Sequence, residues 1–318
     1  MYLFLFICVN AWGNVQVGLV LDKAGKDDKS FNSAAYEGAL RAKGFSTLKY
    51  VEATDDSAFE SLLRRFARSG KYDIVISIGF TQADALKKIA PKFPKQKFAI
   101  IDSIVQQPNV KSVMFEEHQG SFVVGAIATM KSRSKKVGFI GGMDIPLIRR
   151  FQMGYEAGAK HVDPKANVTA NYIGITSEAW NNPAKAKELA ISQFSSGVDV
   201  IFVAAGASNL GVFDAAEEKK KLAIGVDSNQ NGLKPGFILT SMLKRVDNAV
   251  FDTIKEVSEG RFQAGEYRFG LKNGGIGYSL DKNNEKILTP DIRKKADSIQ
   301  KEIISGKIAV PDYYKRKQ

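Results

Sequence analysis

The sequence predicts an α/β protein made of two doubly wound, parallel-sheet lobes joined by a hinge. Three observations carry that expectation. The chain has 318 residues, more than the roughly 250–300 at which a single hydrophobic core stops growing. Its strands read as near-continuous apolar runs separated by amphipathic helices, the pattern of parallel sheets covered on both faces. The rhythm also restarts near residue 136, so about ten strands fall into two rounds. A (β/α)8 barrel is the alternative architecture.

Taken in order, Gln16 to Leu21 is a buried strand, and Ser30 follows as a helix N-cap with Asp27 and Asp28 set against the positive helix end. Phe31, Ala35 and Ala39 form an apolar stripe at helical spacing, closed by Gly44. A strand from Leu48 to Val51, a helix from Ser57 to Ser69, the strand Asp73 to Gly79, a helix over Gln82 to Ala90 and the strand Lys97 to Asp102 continue the series. Lys111 to Phe115 is a further strand, and Glu117 to Lys131 a helix. The second round runs through the strand Lys136 to Gly142 and a helix opened by Pro146, with Leu147, Phe151 and Tyr155 on one face. It continues through strands at Val168 to Ile173, Asp199 to Gly206 and Lys221 to Asp227, with helices after Pro183 and from Asn209. Beyond Asp227 the rhythm breaks, which counts against a barrel. Phe237 to Ser241 is a strand, Lys244 to Gly260 a helix, Tyr267 to Tyr278 a Gly-rich hairpin, and Asp291 to Ser305 a basic helix. The expected lobes are 14–118 plus 245–265, and 119–244 plus 266–318, crossing near 116–136 and 241–246.

With 44% hydrophobic and 25% charged residues the chain is ordinary globular material. Its net charge of +12 raises the question of nucleic acid. The basic residues are scattered, however, with dense runs only at Lys219–Lys221 and Tyr314–Lys317, and no zinc-finger or RNA-binding motif accompanies them. No nucleic-acid partner is expected, whereas attraction to an anionic membrane surface is compatible with the charge. One cysteine, Cys8, rules out an intrachain disulfide framework and a Cys-rich metal site. The apolar stretch Tyr2 to Val9 is shorter than the about 20 residues a bilayer span needs. It fits a signal-peptide remnant over 1–13, the core of a secretory signal without its basic start, with cleavage before Asn14; a ragged first strand is the alternative. Ile7, not a small residue, precedes Cys8, so an exported soluble protein is expected ahead of a lipid-modified one.

In open parallel sheets ligands sit at the carboxyl ends of the strands. The groups delivered there are Asp22, Gly79 with Phe80, Asp102, Gly206 and Asp227. Each is also an ordinary turn former. Ionised carboxylates only accept hydrogen bonds, so an array of them suits a neutral, hydroxyl-rich ligand. The same array repels phosphate, since two unit charges about 4 Å apart cost around 4 kcal/mol at an effective dielectric of 20. Lys244 would balance part of the negative charge. Phe31 and Trp180 are candidates to sandwich a flat ring from opposite lobes; Trp180 lies in a polar loop, outside any apolar stripe.

Enzyme signatures are mostly absent. His118 and His161 lack metal-ligand spacing, Gly206 to Gly211 has Val212 and Phe213 where a phosphate loop carries Lys and Ser or Thr, and no nucleophile elbow occurs. Only Asp22, Asp27 and Asp28 superficially offer the acid cluster of a calcium-dependent nucleoside hydrolase.

Several long motifs bear a family likeness. Asp27-Asp-Lys-Ser-Phe-Asn32, Gln119-Gly-Ser-Phe122, Gly138 to Phe151, Ile224-Gly-Val-Asp-Ser228 and Leu239 to Asp247 closely resemble the basic membrane protein family of substrate-binding proteins, in register from about residue 15 to 280. The resemblance implies a type I periplasmic-binding-protein fold, two lobes closing over a purine nucleoside, and delivery to an ABC permease. It implies that Asp22 and Asp102 hold ribose or base, that Phe31 stacks with Asn32 beside it, and that Asp227 grips the ligand from the second lobe with the ligand-binding lysine, Lys244, near it. It also brings the backbone at Gly206 close to the ligand. The family's glycine-rich turn is replaced by Ala205-Gly-Ala-Ser-Asn-Leu-Gly211, and its Phe-x-Asp-Pro by Trp180-Asn-Asn-Pro183. The expectation is an exported, monomeric nucleoside receptor without cofactor, metal or catalytic chemistry. A sugar or signal-molecule receptor on the same fold is the alternative.

Overall fold

The structure is a computed structural model that describes residues 14–316. The expected signal segment 1–13, with Cys8, lies outside the described residues. In chain order the first half holds β1 (Val15–Leu21), α1 (Phe31–Arg41), β2 (Ser46–Glu52), α2 (Phe59–Arg68), β3 (Ile74–Ile78), α3 (Ala83–Ile89), β4 (Lys97–Ile101) and β5 (Val110–Phe115). The second holds α4 (Glu117–Lys131), β6 (Lys136–Met143), α5 (Pro146–Val162), β7 (Asn167–Gly174), α6 (Pro183–Ser195), β8 (Val200–Ala204), α7 (Asn209–Lys219), β9 (Leu222–Asp227) and β10 (Ile238–Lys244). The chain ends through α8 (Val246–Ser258), β11 (Gly265–Phe269), β12 (Ile276–Tyr278) and α9 (Pro290–Ile304).

These strands form two six-stranded sheets, ordered β11-β5-β4-β3-β1-β2 and β12-β10-β9-β8-β6-β7. Two open sheets exclude the barrel. The first is parallel throughout, whereas β12 joins the second antiparallel to β10. Alternation along β3 shows why both faces are covered. Ile74, Ile76 and Ile78 pack into the core on the α1 and α8 side, and Val75 packs with Leu63, Phe66 and Leu86 of α2 and α3.

The expected hairpin at Tyr267 to Tyr278 is absent. Its two arms belong to different sheets, β11 beside β5 and β12 beside β10. The expected boundary at 265/266 therefore cuts β11, and residues 266–269 pair with the first sheet. The chain crosses between the sheets three times, after β5, after β10 and between β11 and β12; the glycines of the last crossing mimicked a turn.

Helix α4 is buried on nearly all sides, lying against α5, α9 and the second sheet. Its close approach to α5 depends on glycine: a Cβ at Gly125, Gly154 or Gly158 would run into the carbonyl oxygen of Tyr155, His118 or Phe122. Gly158→Ala is expected to destabilise the fold by at least the about 1–3 kcal/mol of ordinary overpacking. Denaturant unfolding checks this, because two backbones, not one flexible side chain, must move apart. No helix among the described residues is long and apolar enough to cross a membrane.

Candidate functional site

The carboxyl ends of both sheets face one another across a cleft enclosing about 550 Å³ of empty space, open solvent included. Asp22, Phe31, Asn32, Phe80 and Asp102 line it from the first lobe, and Trp180, Gly206, Asp227 and Lys244 from the second. The structure thus brings every sequence-derived candidate to one place. It adds Leu147 and Phe151 of α5, which the sequence placed on an apolar helix face without any link to a ligand, and Ile148 beside them.

Strands β4 and β9 occupy the same place in the two sheet orders. Each delivers an aspartate in the left-handed region, Asp102 at φ 68° and Asp227 at φ 65°. Asp tolerates that conformation better than most residues, and holding it costs on the order of 1–3 kcal/mol, the kind of strain that collects at binding sites. Gly79 and Gly206, after β3 and β8, have positive φ as well.

Asp22 is held by its own lobe. Its Oδ1 accepts from Asn32 Nδ2 at 2.7 Å and from the Ala24 amide at 3.0 Å, while its own amide donates to Asn32 Oδ1 at 3.1 Å. The cap of α1 differs from expectation. Asp28 accepts the amides of Ser30, Asn32 and Ser33 at 2.8–2.9 Å. Ser30 makes no side-chain cap bond; its hydroxyl donates across the cleft to Asp227 Oδ2 at 2.6 Å. Both Asp28 oxygens are therefore engaged at the helix end, and Asp27 points outward to Lys26. The Asp22, Asp27 and Asp28 trio does not form the acid cluster that a calcium-dependent hydrolase needs.

Lys244 is 2% exposed and organises the floor. Its Nζ donates to Asp102 Oδ2 at 2.5 Å and lies 3.0 Å from Glu117 Oε1. It also sits 5.2–5.6 Å from the ring centroids of Phe31, Phe115 and Phe151, where a desolvated cation gains from the ring faces. Glu117 in turn accepts from Arg150 Nη1 at 2.7 Å, and Arg150, fully buried, also donates to Glu116 at 2.8 Å and bidentately to Asp312 at 2.7 and 2.9 Å. Tyr314 covers the guanidinium, its ring centroid 4.8 Å away. The Glu117–Arg150–Asp312 chain ties the first crossing, α5 and the carboxyl-terminal segment together, and sequence reading missed it. Its only signal was an arginine set beside the apolar positions Leu147 and Phe151. Among the described residues Glu116, His118 and Asp312 have metal-ligand spacing, but Arg150 already supplies the cation there.

Burial dominates the titration of the cleft. It pushes the Asp22 carboxyl up to about 7, helped by Asp28 and opposed by the Ala24 amide and Asn32. It likewise raises Asp227 to about 7 against the pull of Lys244 and Ser30. Asp102 is raised by burial while Lys244 pulls it back, and its Oδ1 has no hydrogen-bond partner among the described residues. Burial alone would lower Lys244, but Asp102, Glu117 and Asp227 outweigh it and hold the ammonium above its usual range. Desolvation, then Arg150, depress His118 to about 4, so it is neutral at pH 7.

The lobes also meet around the cleft. Ser228 Oγ donates to the Ser30 carbonyl at 3.0 Å, Gln230 Nε2 to the Lys29 carbonyl at 2.9 Å and Ser177 Oγ to Asp56 at 2.6 Å, and Lys23 pairs with Glu178 at the rim. Trp180 stands edge-on to Phe80, ring centroids 6.4 Å apart. Its indole rests on Gly142, where any Cβ would strike the ring. An aromatic-walled cleft between two lobes, floored by carboxylates, can desolvate a flat ring and accept hydrogen bonds from hydroxyl groups.

The profile of the Bmp family, described as ABC transporter substrate-binding protein PnrA-like, matches residues 15–313. The chain belongs to this family. It is a substrate-binding protein of an ABC transporter, and its Bmp relatives cover nearly its whole length. A CD4+ T-cell-stimulating antigen of Listeria monocytogenes is 34% identical over 93% of this chain and 88% of its own. The ABC transporter nucleoside-binding protein BmpA of Lactococcus lactis is 33% identical over 94% of this chain and 89% of its own. Among solved structures, an ABC transporter solute-binding protein of Aeropyrum pernix K1 superposes with a TM-score of 0.85 at 30% identity, covering 93% of this Bmp chain and 94% of its own. The periplasmic-binding-protein architecture expected from the sequence is thus the observed one.

Proposed function

We propose that this protein is an exported, monomeric nucleoside receptor that takes purine nucleosides into the cleft and passes them to an ABC permease, without catalysis or cofactor. The observation that carries the reading is the convergence of Asp22, Asp102 and Asp227 with Lys244 in a buried, aromatic-lined cleft. Phe31, Phe80 and Trp180 would flank the base, with Asn32 fixing Asp22 beside it. Asp102, through its unpartnered Oδ1, and Asp227 would accept from ribose hydroxyls, with Lys244 and the backbone at Gly206 completing the shell. The name of the Lactococcus lactis relative favours a nucleoside over the sugars that the same fold can serve.

Isothermal titration with adenosine, guanosine and inosine tests this. Silence toward all three, and toward pyrimidine nucleosides, rejects the reading; a sugar co-purifying in their place selects the alternative. The affinity is expected to depend on pH. Hydroxyl donors favour ionised carboxylates, and Asp22 and Asp227 titrate near 7 in the free protein. Binding should therefore weaken by up to about tenfold for each pH unit below 7 per coupled acid, with protons released on binding. Titrations in buffers of different ionisation enthalpy, between pH 5.5 and 8.5, read both effects.

A further inference from the structure

We infer that the outer face and lower end of the first lobe form a seat for an anionic lipid surface. Between residues 60 and 97 the chain carries nine basic and three acidic side chains, which is +6 of its total of +12. In sequence these residues are spread over two helices and their connections. Folding gathers them, because α2 and α3 bury Leu63, Phe66, Leu86 and Ile89 against the same sheet face and lie side by side. What remains outside is Arg65, Arg68, Lys87, Lys88 and Lys92, all exposed, with Lys71, Lys95 and Lys97 exposed at the lower end of the sheet. The acids of this surface offset little of it. Glu60 is shared by Arg64 and Lys88, Asp73 accepts the Gln16 amide, and Asp84 is the remaining exposed carboxylate.

Two further observations select the partner. Among the described residues, the large exposed hydrophobics, Ile104, Ile175, Leu280, Ile304 and Tyr314, belong neither to α2 or α3 nor to the segments joining them to the sheet. Protein interfaces are built around apolar and aromatic residues and are poor in lysine, so a lysine-rich surface without them fits headgroups better than a protein. The start of the described chain is also here. Val17 pairs with Ile74, and Ile74 with Lys97, in one row at the amino-terminal end of the sheet. The basic end is thus opposite the strand ends that carry the ligand cleft, and a first lobe seated on lipid by it leaves the cleft clear of the surface. The attraction is to headgroup charge, the physics of polybasic segments at anionic leaflets.

The test is co-sedimentation of the full chain with phosphatidylcholine vesicles, with and without ~30% phosphatidylglycerol. Binding is expected with the anionic vesicles only, and its loss is expected on going from about 0.1 M to about 1 M salt, which shortens the screening length from about 10 Å to about 3 Å. A variant carrying Arg65→Gln, Arg68→Gln, Lys87→Gln, Lys88→Gln and Lys92→Gln should bind at least about tenfold more weakly. A control with the same charge change elsewhere, Lys220→Gln, Lys282→Gln, Lys286→Gln, Lys294→Gln and Lys295→Gln, should bind like the parent. Thermal melts and nucleoside titration of both variants report that fold and cleft are intact. Equal sedimentation with neutral vesicles, equal losses in the two variants, or retention by duplex DNA without retention by vesicles overturns the assignment.

Discussion

Replacing Lys244 by methionine is expected to cost about 3–5 kcal/mol of stability at neutral pH, the usual penalty for removing one partner of a buried ion pair. The ammonium is fully enclosed and faces Asp102, Glu117 and Asp227. Glu117 keeps Arg150 as a partner at 2.7 Å, but the other two lose their main cation. Their carboxyls then rise further, so the loss is largest above pH 7 and shrinks in acid, where both become neutral. Unfolding of parent and variant at pH 5 and pH 8 checks this. A penalty of the same size at both would mean that the stem of Lys244 matters through packing, not charge. Ligand affinity should fall together with stability, because the ammonium sets the charge state of the acids offered to the ligand.

Asp227→Asn is expected to act in the opposite sense on the two properties, abolishing most binding while making the free protein more stable. The carboxyl titrates near 7 in the folded chain against a reference of 3.8. Its stabilising contribution is thus full below pH 3.8 and is lost as pH rises through 7, a change of up to about 4 kcal/mol. Asparagine carries no charge, still accepts from Ser30 through Oδ1 and tolerates the left-handed backbone at this position. The variant should therefore melt above the parent at pH 8 and close to it near pH 4. Nucleoside affinity should drop by about a hundredfold or more, as expected when charge-assisted hydrogen bonds of about 1.5–3 kcal/mol each are lost. Calorimetric titration and pH-resolved melting read the two effects on one sample. A variant that is both weaker in binding and less stable at pH 8 would show that the Asp227 charge is already compensated in the free protein.

Both expectations rest on burial, and that is where sequence and structure part. The strand ends were legible because an apolar run that stops on Asp or Gly is a local pattern: Asp22, Gly79, Asp102, Gly206 and Asp227 could each be read from their own neighbours. Trp180 stood out because an aromatic residue in a polar loop breaks the apolar pattern. Asp28 stands against the start of α1 as expected, but it takes the amides that the Ser30 side chain was expected to cap, since a helix-start carboxylate and a helix-start hydroxyl are interchangeable in sequence. Ser30 keeps the N-cap position, but its hydroxyl donates to Asp227, 197 residues away. The arms of the supposed hairpin at Tyr267 to Tyr278 likewise pair with strands of separate sheets, both outside that segment.

The alternation of buried strands and amphipathic helices, the two rounds, and the polar groups handed to the strand ends can all be read along the chain, because periods of two and of 3.6 residues are written within each segment. Which charges meet is set by the folded arrangement alone. Lys244 finds Asp102 across 142 residues and Arg150 finds Asp312 across 162, and the basic side chains of α2 and α3 become one surface only when both helices cover the same sheet. Ion pairs and charged faces are set by distance in space and by the water removed around them, and neither quantity can be read along the chain.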